Sequence, residues 1–389
     1  MKVLMLGKTG LLEARGGDRI QVENTASELR KLGVEVDIKT SMEFDPRDYD
    51  IIHIFQLDWT PESYFYAKEA KKYNTPIVLS PIHHDVREVK KFDDKFVFDF
   101  RRISKVLFRD QFKRDTFKNV YKSIFDRRML KPTLYSIFYG FKKMQKEVLE
   151  MSEYVLVQTV KEAEDLKRTF NVDFKWQKVL NGVGEAFINP KPYKNPFEFE
   201  DYIMCVGRIE PRKNQLSIIK AVKRLRDEEG LDIKLVLIGK ASRLKHFEYS
   251  TIINKFIKEN NWIYQIEGGI DYNELPSYYH FAKVCVSASW FETTGLTSLE
   301  ALYCGTNTVA SGLRAKEYLG SYASFCQPDD IESIKEAIKH EYHSPRPVLD
   351  SKIREGYTWE NAAKKTLEVY TSILEKDKKQ KVKKGKKNK

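Results

Sequence analysis

The stretch 283-KVCVSASWFETTGLTSLEALYCGTNTVAS-311 decides the fold. KVCVSAS (283–289) is an apolar, β-branched run of strand character. Gly295 and Gly305 then bracket a short segment of helical apolar period, and Thr308-Val309-Ala310 is a second β-like run. Strand, helix and strand in such close succession form the repeating unit of a parallel sheet. Two glutamates remain to be explained, with seven residues between them: Glu292 before the helix and Glu300 inside it.

The same alternation runs through the surrounding chain. YIMCVGRI (202–209), IKLVLIG (233–239) and WIYQIEGG (262–269) read as strands, and QLSIIKAVKRLRDE (215–228) and ELPSYYHFA (274–282) as helices. Upstream, KVLMLG (2–7), VEVDI (34–38), YDIIHIF (49–55), TPIVLSPI (75–82), YVLVQT (154–159) and the start of WQKVLNGV (176–183) are further strands. Between them lie helical spacings from Ile20 to Leu32, over 61–73 and over 162–170. The Pro-rich span 190–196 is the natural linker. The spacing therefore predicts two α/β, Rossmann-like doubly wound domains. The first covers 1–190, with a helical insert at 101–149, and the second covers 197–357. A last helix over 358–375 and a disordered Lys-rich tail over 376–389 complete the chain.

A chain of 389 residues can bury two cores, and 41% hydrophobic with 32% charged residues is ordinary for a globular protein. No apolar run approaches the length of a membrane span. The four cysteines show no CxxC spacing and read as buried reduced thiols of a cytosolic protein. The net charge of +12 is concentrated. Residues 376–389 hold nine lysines and one aspartate, and residues 101–146 hold fourteen Lys/Arg against three aspartates. These two segments exceed the whole chain's charge, so the remainder is net acidic. Such basic segments point to an anionic partner, a membrane or a nucleic acid.

Several pieces together resemble a known family. They are Gly16-Gly17, NGV (181–183), VGRIEPRKN (206–214), the stretch 267–311 and YTWENAAKKTLEVY (357–370). In that order they resemble the GT-B fold glycosyltransferases of family 4, retaining enzymes that use nucleotide sugars. GR-x4-KN followed by E-x7-E is the strongest combination. The chain departs from the family at Thr293-Thr294, where Phe-Gly is usual, and over 101–149. The resemblance implies two domains facing a cleft, with the last helix crossing back to the N-terminal domain. It also implies a donor diphosphate held without metal by Arg208, Lys213, the Gly295-Leu296 backbone and Gly17. Glu292 would meet the sugar hydroxyls and Glu300 the ribose. A carboxylate suits a vicinal diol because it accepts two hydrogen bonds. His83 and His84, after the fourth strand, are catalytic candidates together with Glu292, with His83 preferred and Asp85 as an orienting partner. Asn181 and Gly182 shape the domain crossing.

Each motif has a plainer explanation: a solvated basic loop, a charged helix flank, a turn, or a polar histidine pair. Asp48-Tyr49-Asp50 matches D-x-D but precedes a strand in an acidic loop and is read as a turn. No zinc spacing or GxxxxGK[ST] loop is present.

The nine aromatics among the cations of 101–146 suit either a membrane interface or a core. The expectation is a hexosyltransferase acting on a glycan or lipid-linked acceptor, peripheral on the inner face of a bacterial membrane. It would take its sugar from a nucleotide-sugar co-substrate, with UDP favoured over GDP, and need no cofactor. A soluble acceptor, a non-catalytic sugar-nucleotide-binding subunit and a nucleic-acid module are the alternatives.

Overall fold

A computed structural model describes residues 1–13, 16–95, 101–241, 246–268 and 270–387. The chain forms two compact units. The first comprises Met1–His84, Leu107–Gly182 and Gly356–Lys389, and the second Asp85–Val106 and Val183–Glu355.

The first unit holds β1 (Lys2–Leu6), β2 (Glu35–Lys39), β3 (Ile51–Phe55), β4 (Ile77–Ser80), β5 (Tyr154–Val157) and β6 (Trp176–Lys178). They form one sheet in the order β2-β1-β3-β4-β5-β6, and every pair is parallel. Side chains alternate across a strand, and both faces of this sheet are covered, so the strands read as unbroken apolar runs. Leu4, Leu6, Ile52, Ile54 and Leu79 pack with Met144, Val148 and Leu166. Val3, Met5, Ile51 and Val78 pack with Val22, Ala26, Tyr370 and Ile373.

The last helix, Trp359–Lys387, belongs to that second face. His53 fastens it: its Nδ1 lies 2.6 Å from the Tyr370 hydroxyl and its Nε2 2.9 Å from Ser80 Oγ. Gly182 admits the start of this helix, since a Cβ there would meet Trp359 N at 2.1 Å. The helix continues to Lys387, through the segment expected to be a disordered tail. Lys and Gln are good helix formers, and no proline interrupts them. Asn388 and Lys389 lie outside the described residues.

The insert is helical, as expected: Gln111–Phe125, Leu130–Tyr139 and Phe141–Met151. Its residues divide between the two environments weighed for it. Phe141, Met144, Val148 and Leu149 are core, and Tyr135 and Tyr139 pack on Tyr64. Phe125 and Phe138 face solvent.

The second unit holds β7 (Tyr202–Val206), β8 (Leu235–Ile238), β9 (Ile263–Ile266), β10 (Ala282–Ser287), β11 (Asn307–Ser311) and β12 (Ser324–Cys326). The order is β12-β11-β10-β7-β8-β9, again all parallel. The chain winds outward from β7 to β9, returns to β10 on the other side of β7, and winds outward again. The carboxyl ends of β7 and β10 are therefore the topological switch point, where such sheets bind ligands. The strand read to 269 ends at Ile266, and Gly269 lies outside the described residues.

Residues 85–106 cluster with this unit although they were read as part of 1–190. The reason is apolar. Phe92, on the helix Val86–Lys95, sets its ring against Trp290 at 6.0 Å and Phe291 at 5.6 Å, and Lys91 reaches Asp329 at 2.9 Å. No helix among the described residues is long and apolar enough to cross a membrane. All four cysteines are buried and free.

Candidate functional site

In the second unit, the switch point gathers a charged cluster. Gly207 follows β7 at φ +145°, and Gly239 follows β8 at φ +155°. A Cβ on Gly239 would stand 1.9 Å from the Gly207 carbonyl oxygen, so glycine here lets the two strand ends close together. The loop then turns through Pro211–Lys213 into the helix Gln215–Glu229. Asn214, left-handed at φ +59°, donates its amide to Ala288 O at 3.0 Å and Pro328 O at 2.7 Å, which ties the loop to the end of β10. Gln215 Nε2 holds the Arg208 carbonyl at 2.9 Å. The Arg208 side chain is largely exposed, with Glu210 at 3.4 Å.

Lys213 bonds Glu292, and Arg212 stands 3.2 Å from the same oxygen. Burial works against the Glu292 carboxylate, but Lys213 and Arg212 outweigh it and hold the group well below the usual carboxylate range. Arg212 also reaches Glu210 at 3.0 Å and the Phe291 carbonyl at 3.2 Å, and its own carbonyl accepts from Trp290 N at 2.9 Å. It fastens the loop that carries Glu292.

Gly295, at φ +75°, caps the helix Leu296–Tyr303. The first amides of a helix lack intrahelical partners and face any anion placed there. Glu300 sits about one turn further along this helix and is buried. Tyr272 and Tyr279 donate their hydroxyls to its two oxygens, each at 3.1 Å. Burial nevertheless dominates and pushes Glu300 up to about 7. Gly184 makes room for Tyr272, whose hydroxyl would lie 2.6 Å from a Cβ.

In the first unit, His83 and His84 follow β4, beside the end of β3. Asp58 joins them: His83 Nδ1 is 2.6 Å from Oδ1, and Oδ2 accepts from His84 N at 2.7 Å. The His83 amide donates to Glu162 at 2.8 Å, and Trp59 stacks on His84 at 5.0 Å. Burial opposes the Asp58 charge, but His83 and then His84 prevail and hold its carboxyl well below the usual range. Gln56, Trp59 and Ile82 all have positive φ, so three strained residues crowd this one corner. Asp85, expected to orient a histidine, instead forks onto Arg87 at 2.6 Å and belongs to the second unit. Asp58 takes that place because β3 and β4 are neighbours in the sheet. Gly17 opens the helix Gly17–Lys31 in the first unit, where a Cβ would meet nothing within 4 Å.

Arg208, Lys213, Glu292, Gly295, Leu296 and Glu300 thus share one end of one sheet, while His83, His84 and Gly17 lie in the other unit. The residues missed from sequence are Arg212, Tyr272, Tyr279 and Asp58.

Residues 190–358 match the family described as glycosyl transferases group 1. O-antigen chain mannosyltransferase B of Escherichia coli is 26% identical over 190 residues, which is 46% of this chain and 48% of that protein. The chain spans about half the length of the curated relatives it matches. Sucrose-phosphate synthase from Thermosynechococcus elongatus superposes with a TM-score of 0.71 at 17% identity, over 96% of this chain and 99% of that one. The Anabaena protein HepE, solved with UDP and glucose, superposes with a TM-score of 0.63 at 12% identity, over 96% and 100%. The two doubly wound units have the architecture of the GT-B fold, and residues 190–358 carry the match to the group 1 glycosyl transferases.

Proposed function

We propose that this protein is a retaining, metal-independent glycosyltransferase that moves a hexose from a nucleotide sugar to a glycan or lipid-linked acceptor. The observation that carries this reading is the cluster at the carboxyl ends of β7 and β10. There two cations, a helix N-terminus, a half-buried carboxylate and a buried one of opposite character occupy one switch point.

Each group has a task in such a transfer. As the glycosidic bond to the diphosphate breaks, negative charge grows on the leaving oxygen. Arg208, Lys213 and the amides at Leu296 are the groups proposed to stabilise that charge. Lys213 is held in place by Glu292, so little reorganisation is needed when phosphate arrives. Glu292, ionised, accepts hydrogen bonds from sugar hydroxyls. Glu300 accepts them from the ribose. In the first unit, His83, its ring held through Nδ1 by Asp58, is the candidate catalytic group. The UDP bound by HepE favours a uridine donor. The mannosyltransferase relative favours cell-surface polysaccharide synthesis, and with it a location at the inner face of the membrane.

The test is a thermal-shift and product assay with UDP-, GDP- and ADP-hexoses and a membrane extract as acceptor, with and without EDTA. Stabilisation by one nucleotide, lost in Lys213→Ala, with sugar transfer that survives EDTA and retains the anomeric configuration, supports the proposal. Binding without turnover in any extract identifies a non-catalytic subunit instead. Transfer to a water-soluble acceptor alone removes the lipid-linked reading.

A further inference from the structure

Two helices of the insert in the first unit carry an apolar stripe turned toward water over a polar buried face. On the helix Gln111–Phe125 the buried positions are Gln111, Arg114, Asp115, Asn119 and Ser123. On Leu130–Tyr139 they are Pro132, Thr133 and Ser136. Phe112, Tyr135 and Tyr139 pack against the core, but a second set of apolar residues on the same helices lies outside. Leu130, Leu134, Ile137 and Phe138, at i, i+4, i+7 and i+8, make one exposed stripe, and Phe138 is 89% exposed. Tyr121, Ile124 and Phe125 add the last turn of the partner helix, with Phe125 75% exposed. A surface helix of a water-soluble protein shows the reverse. The short turn Arg127–Met129 joins the two helices, which pack against each other.

Two features say what covers this surface. Small and polar residues buried, with apolar residues outside, suit a hairpin in contact with lipid. There, outward apolar contact costs nothing, and helices associate through small side chains and hydrogen-bonding groups. Ser136 Oγ reaches the Thr133 carbonyl at 2.6 Å and Ser123 Oγ the Val120 carbonyl at 2.7 Å, so these hydroxyls are satisfied inside the hairpin. The charge is the second feature. Lys122, Arg127 and Lys131 are exposed at the hairpin's connection, and Lys131 shares the stripe of Leu134 and Phe138. A cationic rim around an apolar face complements anionic headgroups above acyl chains. It repels a second copy of itself.

We infer that the hairpin 111–139 is a monotopic membrane anchor. It would bury Phe125, Leu134, Ile137 and Phe138 in the outer acyl region of an anionic bilayer and hold Lys122, Arg127 and Lys131 at the phosphates. The inference does not depend on the donor-site chemistry. It assigns the anchoring to this hairpin, and the nine lysines at the chain's end add only long-range attraction.

The experiment is cosedimentation of the full chain with phosphatidylcholine vesicles, with or without one quarter phosphatidylglycerol, at about 0.15 M salt. The variants are Phe125→Ser/Phe138→Ser and removal of residues 378–389. The double variant replaces exposed side chains, so its melting temperature should match the wild type. Its partition onto the anionic vesicles should fall by about tenfold or more. Removal of the lysines should weaken binding by less. In Phe138→Trp, indole fluorescence should be quenched by brominated acyl chains. The inference is overturned if the double variant binds as well as wild type, if the indole of Phe138→Trp ignores the brominated lipid, or if loss of the lysines alone abolishes binding. A wild type that elutes as a dimer beside a monomeric double variant would likewise make the stripe a self-interface.

Discussion

Glu292 is half-buried and Glu300 buried, and their surroundings drive them in opposite directions. Glu292 has two cations against one oxygen, and Glu300 has only neutral tyrosine hydroxyls. Hydroxyl donors cannot replace the water that a carboxylate loses, so Glu300 titrates near 7 while Glu292 stays ionised. If the ribose hydroxyls bind the ionised form of Glu300, nucleotide affinity should rise as pH climbs from 6 to 8. Calorimetry should register proton release on binding at pH 7, and Glu300→Gln should flatten the profile. An unchanged slope in that variant would remove Glu300 from the ribose site. Arg212 carries a second consequence. Its removal leaves Glu210 and Glu292 short of their shared cation, and breaking this partly buried network should cost about 2 kcal/mol, below the figure for a fully buried pair. Urea unfolding of Arg212→Ala should show that loss, with weaker donor binding, whereas Arg212→Lys should recover part of the stability. These effects follow from a residue that looked like one more charge in a basic loop, because sequence spacing does not show that Arg212 turns inward with Lys213 while Arg208 stays exposed.

At the scale of elements, the approach of β7 to β8 rests on two glycines. Gly239→Ala would drive a methyl into the Gly207 carbonyl and also demand an unfavourable φ. Gly33→Ala demands a positive φ but meets no atom within 4 Å. Denaturant titration should therefore find about 1 kcal/mol lost at Gly33, the backbone term alone. Gly239→Ala should cost clearly more and reduce nucleotide binding, because its clash displaces the loop of Arg208. Equal losses at the two sites would deny the close contact. Most strands were legible, since burial on both faces writes them as unbroken apolar runs from Val3-Leu4-Met5-Leu6 onward. The helix Ile331–His343, with Ile334 and Ile338 buried four apart, carried a signal that was not used. β12 is only Ser324–Cys326, too short to show a period. Asp58 was out of reach for another reason. It meets His83 because β3 and β4 are adjacent, and adjacency in a parallel sheet is a property of topology, not of sequence distance. The insert's charge and aromatic content were plain, but only the burial pattern separates its core half from its exposed half.

At the scale of the whole molecule, the two units contain buried titrating groups of opposite sign, so acid should act on them in opposite directions. In the first unit, His53 lies fully buried between Tyr370 and Ser80, and burial lowers it from its ordinary 6.5 to about 3. The unfolded chain takes up a proton near pH 6.5 that the folded unit refuses. Stability is therefore complete above that pH and falls progressively below it. In the second unit, Glu300 is raised from its ordinary 4.5 to about 7. There the folded unit takes the proton first, so stability falls as pH rises from 4.5 to 7 and returns on acidification. Moving from pH 7.5 to 5 should thus remove about 2 kcal/mol from the first unit and add about 2 kcal/mol to the second. Scanning calorimetry across that range should separate two melting transitions, one falling and one rising. His53→Leu should leave the first transition lower at neutral pH, because Ser80 and Tyr370 lose their partner, but should remove its pH slope. Glu300→Gln should remove the slope of the second alone. If both transitions fall together in acid and neither variant alters its slope, the stability of the two units is governed by charges other than these. The carboxyl-terminal helix would then be held by its apolar contacts, Ala363, Val369 and Ile373, rather than through the histidine it covers.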